Sequence, residues 1–276
     1  MATINVKCPY CGSEHVNLFG HSKSGKQRFR CMNKECSHIT FQLELTYNAR
    51  KPGVAQKIVD MSMNGSGTRD TARVLGIDKD TVTRHLRKLG NFVENVNQKF
   101  LDKMEEGASI DIHIVNPLED STSEEDPQSS ENADIDRTES PGLSAELDEQ
   151  WSYCGSKKNQ EWLWWATEHE HNIPLAFCFG TREYKNLDVL LSYLKPFNIK
   201  IHYTDNNFAY SSRIAEENLH IGKRDTQKIE RNHLTLRTRI KRLARKTICF
   251  SKSEEIHKAV IGAFINIHYF GREYVA

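Results

Sequence analysis

The sequence contains little of what marks secreted or membrane proteins. It has seven cysteines among 276 residues, an odd number that cannot all be paired in disulfides, and it begins with no recognisable signal peptide. It also has no apolar run long enough to cross a membrane. These absences disfavour a disulfide-stabilised secreted domain and a membrane protein. We therefore expect a protein of the reducing cytoplasm, with disulfide bonds as the alternative for its clustered cysteines.

The sequence also lacks a net charge that would indicate a class of partner, because the total is only +1. The charge is nevertheless unevenly distributed. Residues 1–100 carry 16 basic and 8 acidic side chains, residues 101–147 carry 2 and 14, and residues 148–276 carry 20 and 15. From 117 to 142 the chain is largely Ser, Glu, Asp and Pro, with too few apolar residues to form a core. We predict that residues 105–142 form an acidic flexible linker.

Four cysteines near the N-terminus form two clusters. Cys8-Pro-Tyr-Cys11-Gly is followed by Cys31 and, after four residues, Cys36, an arrangement typical of a zinc ribbon. The second cluster is wider than the usual two-residue spacing, which leaves His38 as an alternative to Cys36. We predict one structural zinc ion within residues 1–48. The remaining cysteines are predicted to be buried as small apolar residues: Cys154, Cys178 and Cys249.

Residues 52–104 are predicted to form a helix-turn-helix DNA-binding domain with a helical extension at 91–104. The apolar pattern predicts helices at 54–63, 68–76 and 80–89. Ala72 is small enough for two helices to approach, and Gly76 supplies the sharp turn. A three-helix bundle without a DNA-binding role is the alternative. The last helix would offer these residues to a major groove: Lys79, Thr81, Thr83, Arg84, Arg87 and Lys88.

Residues 143–276 are predicted to form an α/β domain with a mixed five-stranded sheet. Alternating polar and apolar residues predict three successive strands, the first containing Asp148, and then a helix at 184–194. A fourth strand ends at Asp205, a short strand covers 219–222, and a basic helix is predicted from 226 to 246 with Glu230 in its second turn. This order is that of the ribonuclease H-like fold. The whole chain is thus α+β and multidomain.

Three acids of this domain are candidate metal ligands. In such a sheet Asp148 and Asp205 lie on adjacent strands, and the following helix brings Glu230 beside them. Carboxylates from three elements are suited to hold two Mg²⁺ or Mn²⁺ ions roughly 3.5–4 Å apart. The alternative is that each acid is an ordinary solvated carboxylate.

The basic helix is a candidate DNA-binding element. Ten Lys or Arg residues lie between His220 and Phe250, against two acids. A solvated helix face is the alternative, but so large an excess of cations favours contact with a polyanion. The candidates include Lys228 and Arg231.

The sequence resembles the insertion sequence one family of transposases, members of the DDE class, over nearly the whole chain apart from the acidic insert. Three blocks carry the resemblance: Leu-Asp148-Glu-Gln-Trp, Tyr-Thr-Asp205-Asn and Lys228-Ile-Glu230-Arg-Asn-His-Leu-Thr-Leu-Arg237. The resemblance implies that Asp148, Asp205 and Glu230 bind metal and that Arg237 contacts DNA. Residues seven apart share a helix face, so Glu230 and Arg237 would point the same way. Asn206 stands where members of the family often have Gly.

The resemblance implies a transposase that binds terminal inverted repeats, cleaves 3′ ends and transfers them into target DNA. Its implied partner is double-stranded DNA, with a homodimer or larger assembly because two ends must be joined, and with no membrane partner. A prokaryotic, nucleoid-associated location in the cytoplasm follows. The alternatives are a transcriptional repressor with an inert acidic cluster and a nuclease or resolvase on the same fold. An alternative role for the acidic linker is to mimic DNA until DNA displaces it.

Overall fold

A computed structural model describes residues 5–23, 25–43, 47–105, 143–222 and 225–274. The predicted acidic linker lies outside these residues except at its first position. Within the described part of the chain, no helix is both long and apolar enough to cross a membrane. Two compact units are present. The first contains the described residues within 1–93, 152–160 and 234–276, and the second contains those within 94–151 and 161–233.

The N-terminal residues form a small antiparallel sheet. Its strands are β1 (Val16–His21), β2 (Gln27–Cys31) and β3 (Thr40–Phe41), with β2 in the middle. Its buried interior consists of Cys8, Cys31 and Phe41, with a few partly buried apolar residues around them. So small an apolar core gives little stability by itself, and we therefore expect this sheet to depend on its cysteine cluster.

Three helices follow at the predicted positions: α1 (Val54–Met63), α2 (Thr68–Leu75) and α3 (Lys79–Lys88). Gly76 ends α2 in the left-handed region at φ +61°, a conformation that glycine adopts without strain. The side chain of Asp78 then caps α3 by accepting a hydrogen bond of 2.7 Å from the N–H of Asp80. The predicted helix-turn-helix region is therefore confirmed.

The second unit is built on a five-stranded mixed sheet. Its elements in chain order are α4 (Gln98–Glu105), β4 (Ser144–Tyr153), β5 (Gln160–Glu168), β6 (Pro174–Gly180), α5 (Tyr184–Leu194), β7 (Ile201–Thr204), α6 (Phe208–Ser211), β8 (Leu219–Ile221) and α7 (Gln227–Arg239). The last residues of β4 and the second half of α7, residues 152–153 and 234–239, belong to the first unit. The strand order is β6-β5-β4-β7-β8. β5 and β6 are antiparallel, whereas β7 is parallel to both β4 and β8. This arrangement confirms the predicted mixed five-stranded sheet. The core packs Leu147, Trp164, Leu175, Leu190 and Tyr210 together.

The predicted helical extension at 91–104 is wrong in its central part. The 3-10 helix Leu89–Phe92 and α4 cover its two ends, but residues 93–97 are not helical, and residues 95–97 pair with the edge strand β6 instead. Phe177 donates its N–H to the carbonyl of Asn95 at 2.9 Å, and Asn97 donates its N–H to the carbonyl of Leu175 at 2.8 Å. An edge strand has unpaired backbone groups, and these segments satisfy them.

The predicted basic helix is also too long. α7 ends at Arg239, and the chain turns at Ile240. The largely buried guanidinium of Arg242 donates hydrogen bonds to the carbonyl of Ser62 at 3.0 Å and to the hydroxyl of Ser251 at 3.2 Å. Part of the basic run therefore serves internal hydrogen bonding in the first unit.

The last helix, α8 (Glu254–His268), packs against α1, α3 and the turn at Leu89–Phe92. The imidazole of His257, which is fully buried, bridges the hydroxyls of Ser152 at 2.9 Å and Ser251 at 2.8 Å. The sequence assigns this helix to the domain at 143–276. In the structure it belongs to the same compact unit as the helix-turn-helix region.

We expect Gly262→Ala to destabilise the docking of α8. A Cβ atom at Gly262 would lie 2.6 Å from Cγ1 of Val93. Overpacking of this kind costs about 1–3 kcal/mol, more than the roughly 1 kcal/mol that alanine gains over glycine in a helix. Gly90→Ala is the matched control, since its Cβ would meet Ala259 at 3.9 Å, an ordinary contact. Urea unfolding measures both, and a Gly262→Ala protein as stable as the parent would contradict the packing described.

Candidate active site and cysteine cluster

The four N-terminal cysteines are gathered in one cluster. Their sulfur atoms all lie within 4.8 Å of one another, with Cys8 and Cys36 3.8 Å apart and Cys11 and Cys31 3.6 Å apart. Tetrahedral zinc with Zn–S bonds of about 2.3 Å requires sulfur atoms about 3.8 Å apart. The donor set and its spacing therefore fit one structural zinc ion.

The geometry of the cluster favours Cys36 over His38 as the fourth ligand. The imidazole of His38 stacks on Tyr10, with ring centroids 3.7 Å apart, and its Nδ1 contacts the hydroxyl of Ser37 at 3.0 Å. The fourth sulfur comes from Cys36. A backbone hydrogen bond at Ser13 lowers the pKa of Cys11 to about 7, towards the thiolate form that zinc requires. Backbone hydrogen bonds at Asn33 and His38 lower the pKa values of Cys31 and Cys36, but burial and hydrogen bonds to the neighbouring thiols outweigh them and raise both.

The other three cysteines are only partly as predicted. Cys154 and Cys178 are buried, and burial raises the pKa of Cys178 to about 12. Cys249 is exposed, so its predicted burial is wrong. Cys249 lies in a segment, residues 244–250, that forms neither helix nor strand.

Parallel pairing brings the first two candidate acids side by side. β4 and β7 are in register with Leu147 opposite Thr204. Asp148 and Asp205 each follow this pair directly in the sequence. The proximity affects Asp205, whose pKa is raised by burial and by the negative charges of Glu149 and Asp148. A site crowded with negative charge in this way would gain from a bound cation.

Asp148 is fixed from two sides. Its Oδ1 accepts the N–H of Glu149 at 2.8 Å, and its Oδ2 lies 3.1 Å from Nδ1 of His233 on α7. The side chain of Asp148 remains 22% exposed, whereas that of His233 is 4% exposed. One carboxylate edge is therefore oriented by the helix while the group stays accessible.

Glu149 is a residue of the candidate site that was not predicted from the sequence. Its carboxylate is only 2% exposed. It accepts hydrogen bonds from Arg182 at 2.7 Å, from the side-chain amide of Asn207 at 2.7 Å and from the hydroxyl of Tyr210 at 2.8 Å. Because Asn207 and Tyr210 follow Asp205 closely, Glu149 anchors the loop that holds Asp205. The only signal in the sequence was a second acid directly after Asp148.

The third candidate acid, Glu230, is exposed on α7, one turn before His233. Its helix therefore reaches β4 next to Asp148. Among the described residues, the groups of three or more potential ligands within 4.8 Å are the four cysteines and Glu168, Glu170 and His171. Asp148, Asp205 and Glu230 do not form so tight a group. Their role as joint metal ligands therefore stays a prediction.

The predicted DNA contacts on α7 lie in different surroundings. Arg231 is exposed and Arg237 is half-buried. The ammonium of Lys228 instead donates to the backbone carbonyls of His169 and Glu170. Lys228 is therefore engaged within the second unit, although its sequence context predicts contact with phosphate.

Most of the predicted groove-facing residues on α3 are on the surface. Lys79, Arg84, Arg87 and Lys88 are exposed, and Thr83 is half-buried. Arg87 also lies 3.2 Å from the carboxylate of Glu255 on α8. Burial and the charges of Lys88 and Arg84 lower the pKa of His85, consistent with a positive surface. Thr81, in contrast, does not face the surface as predicted. Its side chain is 8% exposed, and its hydroxyl is hydrogen-bonded to the hydroxyl of Tyr47 at 2.8 Å.

The small sheet presents a second cationic surface. Phe19 on β1 is 41% exposed, and the guanidinium groups of Arg28 and Arg30 on β2 lie 5.1 and 5.7 Å from the centre of its ring. Residues 16–31 contain four Lys or Arg and no acid. We call this the ribbon surface; an exposed aromatic ring with two guanidinium groups against it is a combination suited to contact with nucleic acid.

Known proteins match three segments of the chain. Residues 143–271 match the family described as IS1 transposase, residues 45–90 match the InsA C-terminal domain, and residues 1–37 match the InsA N-terminal domain. The insertion element iso-IS1n protein InsB of Shigella dysenteriae is 52% identical over 128 residues, which are 46% of this chain and 98% of that protein. The chain belongs to the IS1 transposase family. Two further InsB proteins are 44% identical over 128 residues, 46% of this chain: one from Shigella sonnei, covered over 98% of its length, and one from Escherichia coli strain K12, covered over 77%.

This IS1 family chain thus joins segments similar to InsA and to InsB in one polypeptide. The InsA-like segments contain the cysteine cluster and the helix-turn-helix region, and the InsB-like segment contains the five-stranded sheet. A DDE domain implies divalent metal ions. The oxygen donors of Asp148 and Asp205 and the raised pKa of Asp205 fit such ions.

Proposed function

We propose that this IS1 family chain is a DNA transposase. It binds the terminal inverted repeats of an insertion sequence, cleaves their 3′ ends and transfers them into target DNA. The observation that carries the proposal is the juxtaposition of Asp148 and Asp205 on parallel strands, with the helix of Glu230 held against Asp148 by His233.

In this proposal, Asp148, Asp205 and Glu230 hold two Mg²⁺ or Mn²⁺ ions. Such ions, when bound, activate water and stabilise the charge that develops on phosphorus. The residues of the chain supply orientation. Glu149 fixes the loop of Asp205, His233 orients Asp148, and Arg237 binds a DNA phosphate. No covalent protein nucleophile is required.

The first unit supplies recognition of DNA ends. Exposed cations on α3 and the ribbon surface of Phe19, Arg28 and Arg30 give it two candidate contact surfaces. Each phosphate contact lowers the slope of log affinity against log salt by about 0.9, so binding by these cations is salt-dependent. Because two transposon ends are joined to one target, we propose a dimer or larger assembly.

A joining assay with a labelled end, a plasmid target and Mg²⁺ tests the proposal. The proposed transposase gives strand-transfer products linked to the plasmid. A repressor that only binds DNA gives a shifted complex without product, and a nuclease or resolvase gives cleavage without joining. Either of these results with folded, metal-loaded protein would overturn the proposal.

A further inference from the structure

The turn between β5 and β6 packs against the N-terminal half of α7, the helix that carries Glu230. Lys228 donates from its ammonium to the carbonyl of His169, and to that of Glu170 at 3.0 Å. The side-chain amides of Asn172 and Asn232 donate to each other, at 3.3 and 2.9 Å. Lys228 and Asn232 are four residues apart and share a helix face. The 169–173 turn thus contacts two successive helical turns of α7.

This turn is itself internally braced. The carboxylate of Glu168, only 3% exposed, accepts the N–H of Glu170 at 2.7 Å and the N–H of His171 at 2.6 Å. Glu168 also donates its own N–H to the carbonyl of Ile173 at 2.7 Å. Asn172 adopts the left-handed region at φ +59°. The carbonyls that receive Lys228 are therefore fixed by the sheet rather than by the helix.

A buried acid joins the turn and the helix a second time. Glu146, which is 1% exposed, accepts the N–H of Ile229 in the first turn of α7 at 3.0 Å. Its other oxygen lies 2.9 Å from Nδ1 of His169. The first N–H groups of a helix have no partner within the helix, and the carboxylate of Glu146 accepts a hydrogen bond from one of them. This carboxylate also lies at the positive end of the helix dipole, where an acidic group is favoured.

These contacts fix the rotation of α7 about its axis. Successive residues advance by about 100°, so Glu230 emerges on the side opposite to both Lys228 and Asn232. We propose that Lys228 and Asn172 are positioning residues that set the direction of Glu230, and that Lys228 is not a DNA contact. The inference rests on the proposed function, because Glu230 must be a metal ligand for its direction to matter.

Two variants test the packing of the turn against α7, one on the helix and one on the turn. Lys228→Met removes the ammonium, and Asn172→Gly removes the amide while retaining a residue suited to positive φ. We expect each to weaken Mn²⁺ binding, followed by the electron paramagnetic resonance of free Mn²⁺, by roughly 10-fold or more, as for other groups that orient metal ligands. The Mg²⁺ concentration for half-maximal joining should rise in parallel. Affinity for end DNA and its salt dependence should stay unchanged. Lys228→Arg keeps the donors and should recover part of the loss.

Arg231→Gln is the matched control, because Arg231 is an exposed cation directly after Glu230. If it contacts phosphate, the variant binds DNA less tightly, with a salt slope smaller by about one, and keeps the parent Mn²⁺ affinity. The same pattern in Lys228→Met would make Lys228 a phosphate contact and overturn the inference, as would parent Mn²⁺ affinity in both Lys228→Met and Asn172→Gly. An unaltered chain that neither joins DNA nor binds Mn²⁺ at Glu230 would overturn the proposed function instead.

Discussion

Asp205→Asn is expected to reduce strand joining by roughly 10³-fold or more while binding of end DNA is retained. The amide has the size of the carboxylate but is a poor ligand for Mg²⁺, and loss of an essential electrostatic group commonly costs a factor of this order. The fold should not suffer. Burial and the negative charges of Glu149 and Asp148 raise the pKa of Asp205, so keeping this carboxylate ionised at neutral pH costs the folded state stability that a neutral amide does not. We therefore expect unfolding of the variant at pH 7 to occur at an equal or higher temperature.

Asp188→Asn is the matched control for this experiment. Asp188 is a half-exposed acid on α5 of the same unit and pairs with Arg213 at 2.8 Å. Its variant should join DNA as the parent does, because exposed ion pairs contribute little to stability. If Asp205→Asn joined DNA at the parent rate, Asp205 would not belong to the catalytic site.

Removal of zinc is expected to have the second large effect. Cys8→Ser, or chelation of the parent protein, should unfold the small sheet, because among its described residues the buried apolar cluster consists of Cys8, Cys31 and Phe41. Affinity for end DNA should then fall at least 10-fold, since the ribbon surface of Phe19, Arg28 and Arg30 is lost. Zinc content, measured by inductively coupled plasma mass spectrometry, should be one ion per parent chain and close to zero in the variant.

Cys249→Ser controls for loss of a cysteine as such, because Cys249 is exposed and lies outside the four-cysteine cluster. It should keep the zinc and the DNA affinity of the parent. A Cys8→Ser protein that lacks zinc but retains its small sheet and its DNA affinity would show that the cluster is not structural.

Local patterns predicted much of the fold. The apolar spacing of α1 gave its bounds, Val54–Met63, and the alternation along β4, β5 and β6 gave the sheet. The misses arise from tertiary contacts that local patterns do not contain. Residues 95–97 pair with the edge strand β6, and α7 ends at Arg239, after which Arg242 donates a hydrogen bond to the carbonyl of Ser62. Both depend on a neighbour distant in the sequence.

The same distinction applies to the candidate site. Parallel pairing of the first and fourth strands was enough to predict that Asp148 and Asp205 are neighbours. The anchoring role of Glu149 could not be predicted, because it depends on Arg182, Asn207 and Tyr210. Lys228 has the sequence context of a phosphate contact. Its direction depends on carbonyls 58 and 59 residues away.

The convergence of three acids on shared metal ions can be tested most directly by iron-mediated cleavage of the polypeptide. Fe²⁺ takes the place of Mg²⁺ at oxygen sites, and with ascorbate and peroxide it cuts the backbone beside its ligands. The proposed site predicts cuts next to Asp148, Asp205 and Glu230 together, all suppressed by excess Mg²⁺. Cuts that omit any of the three, or that persist in excess Mg²⁺, would contradict a common metal site.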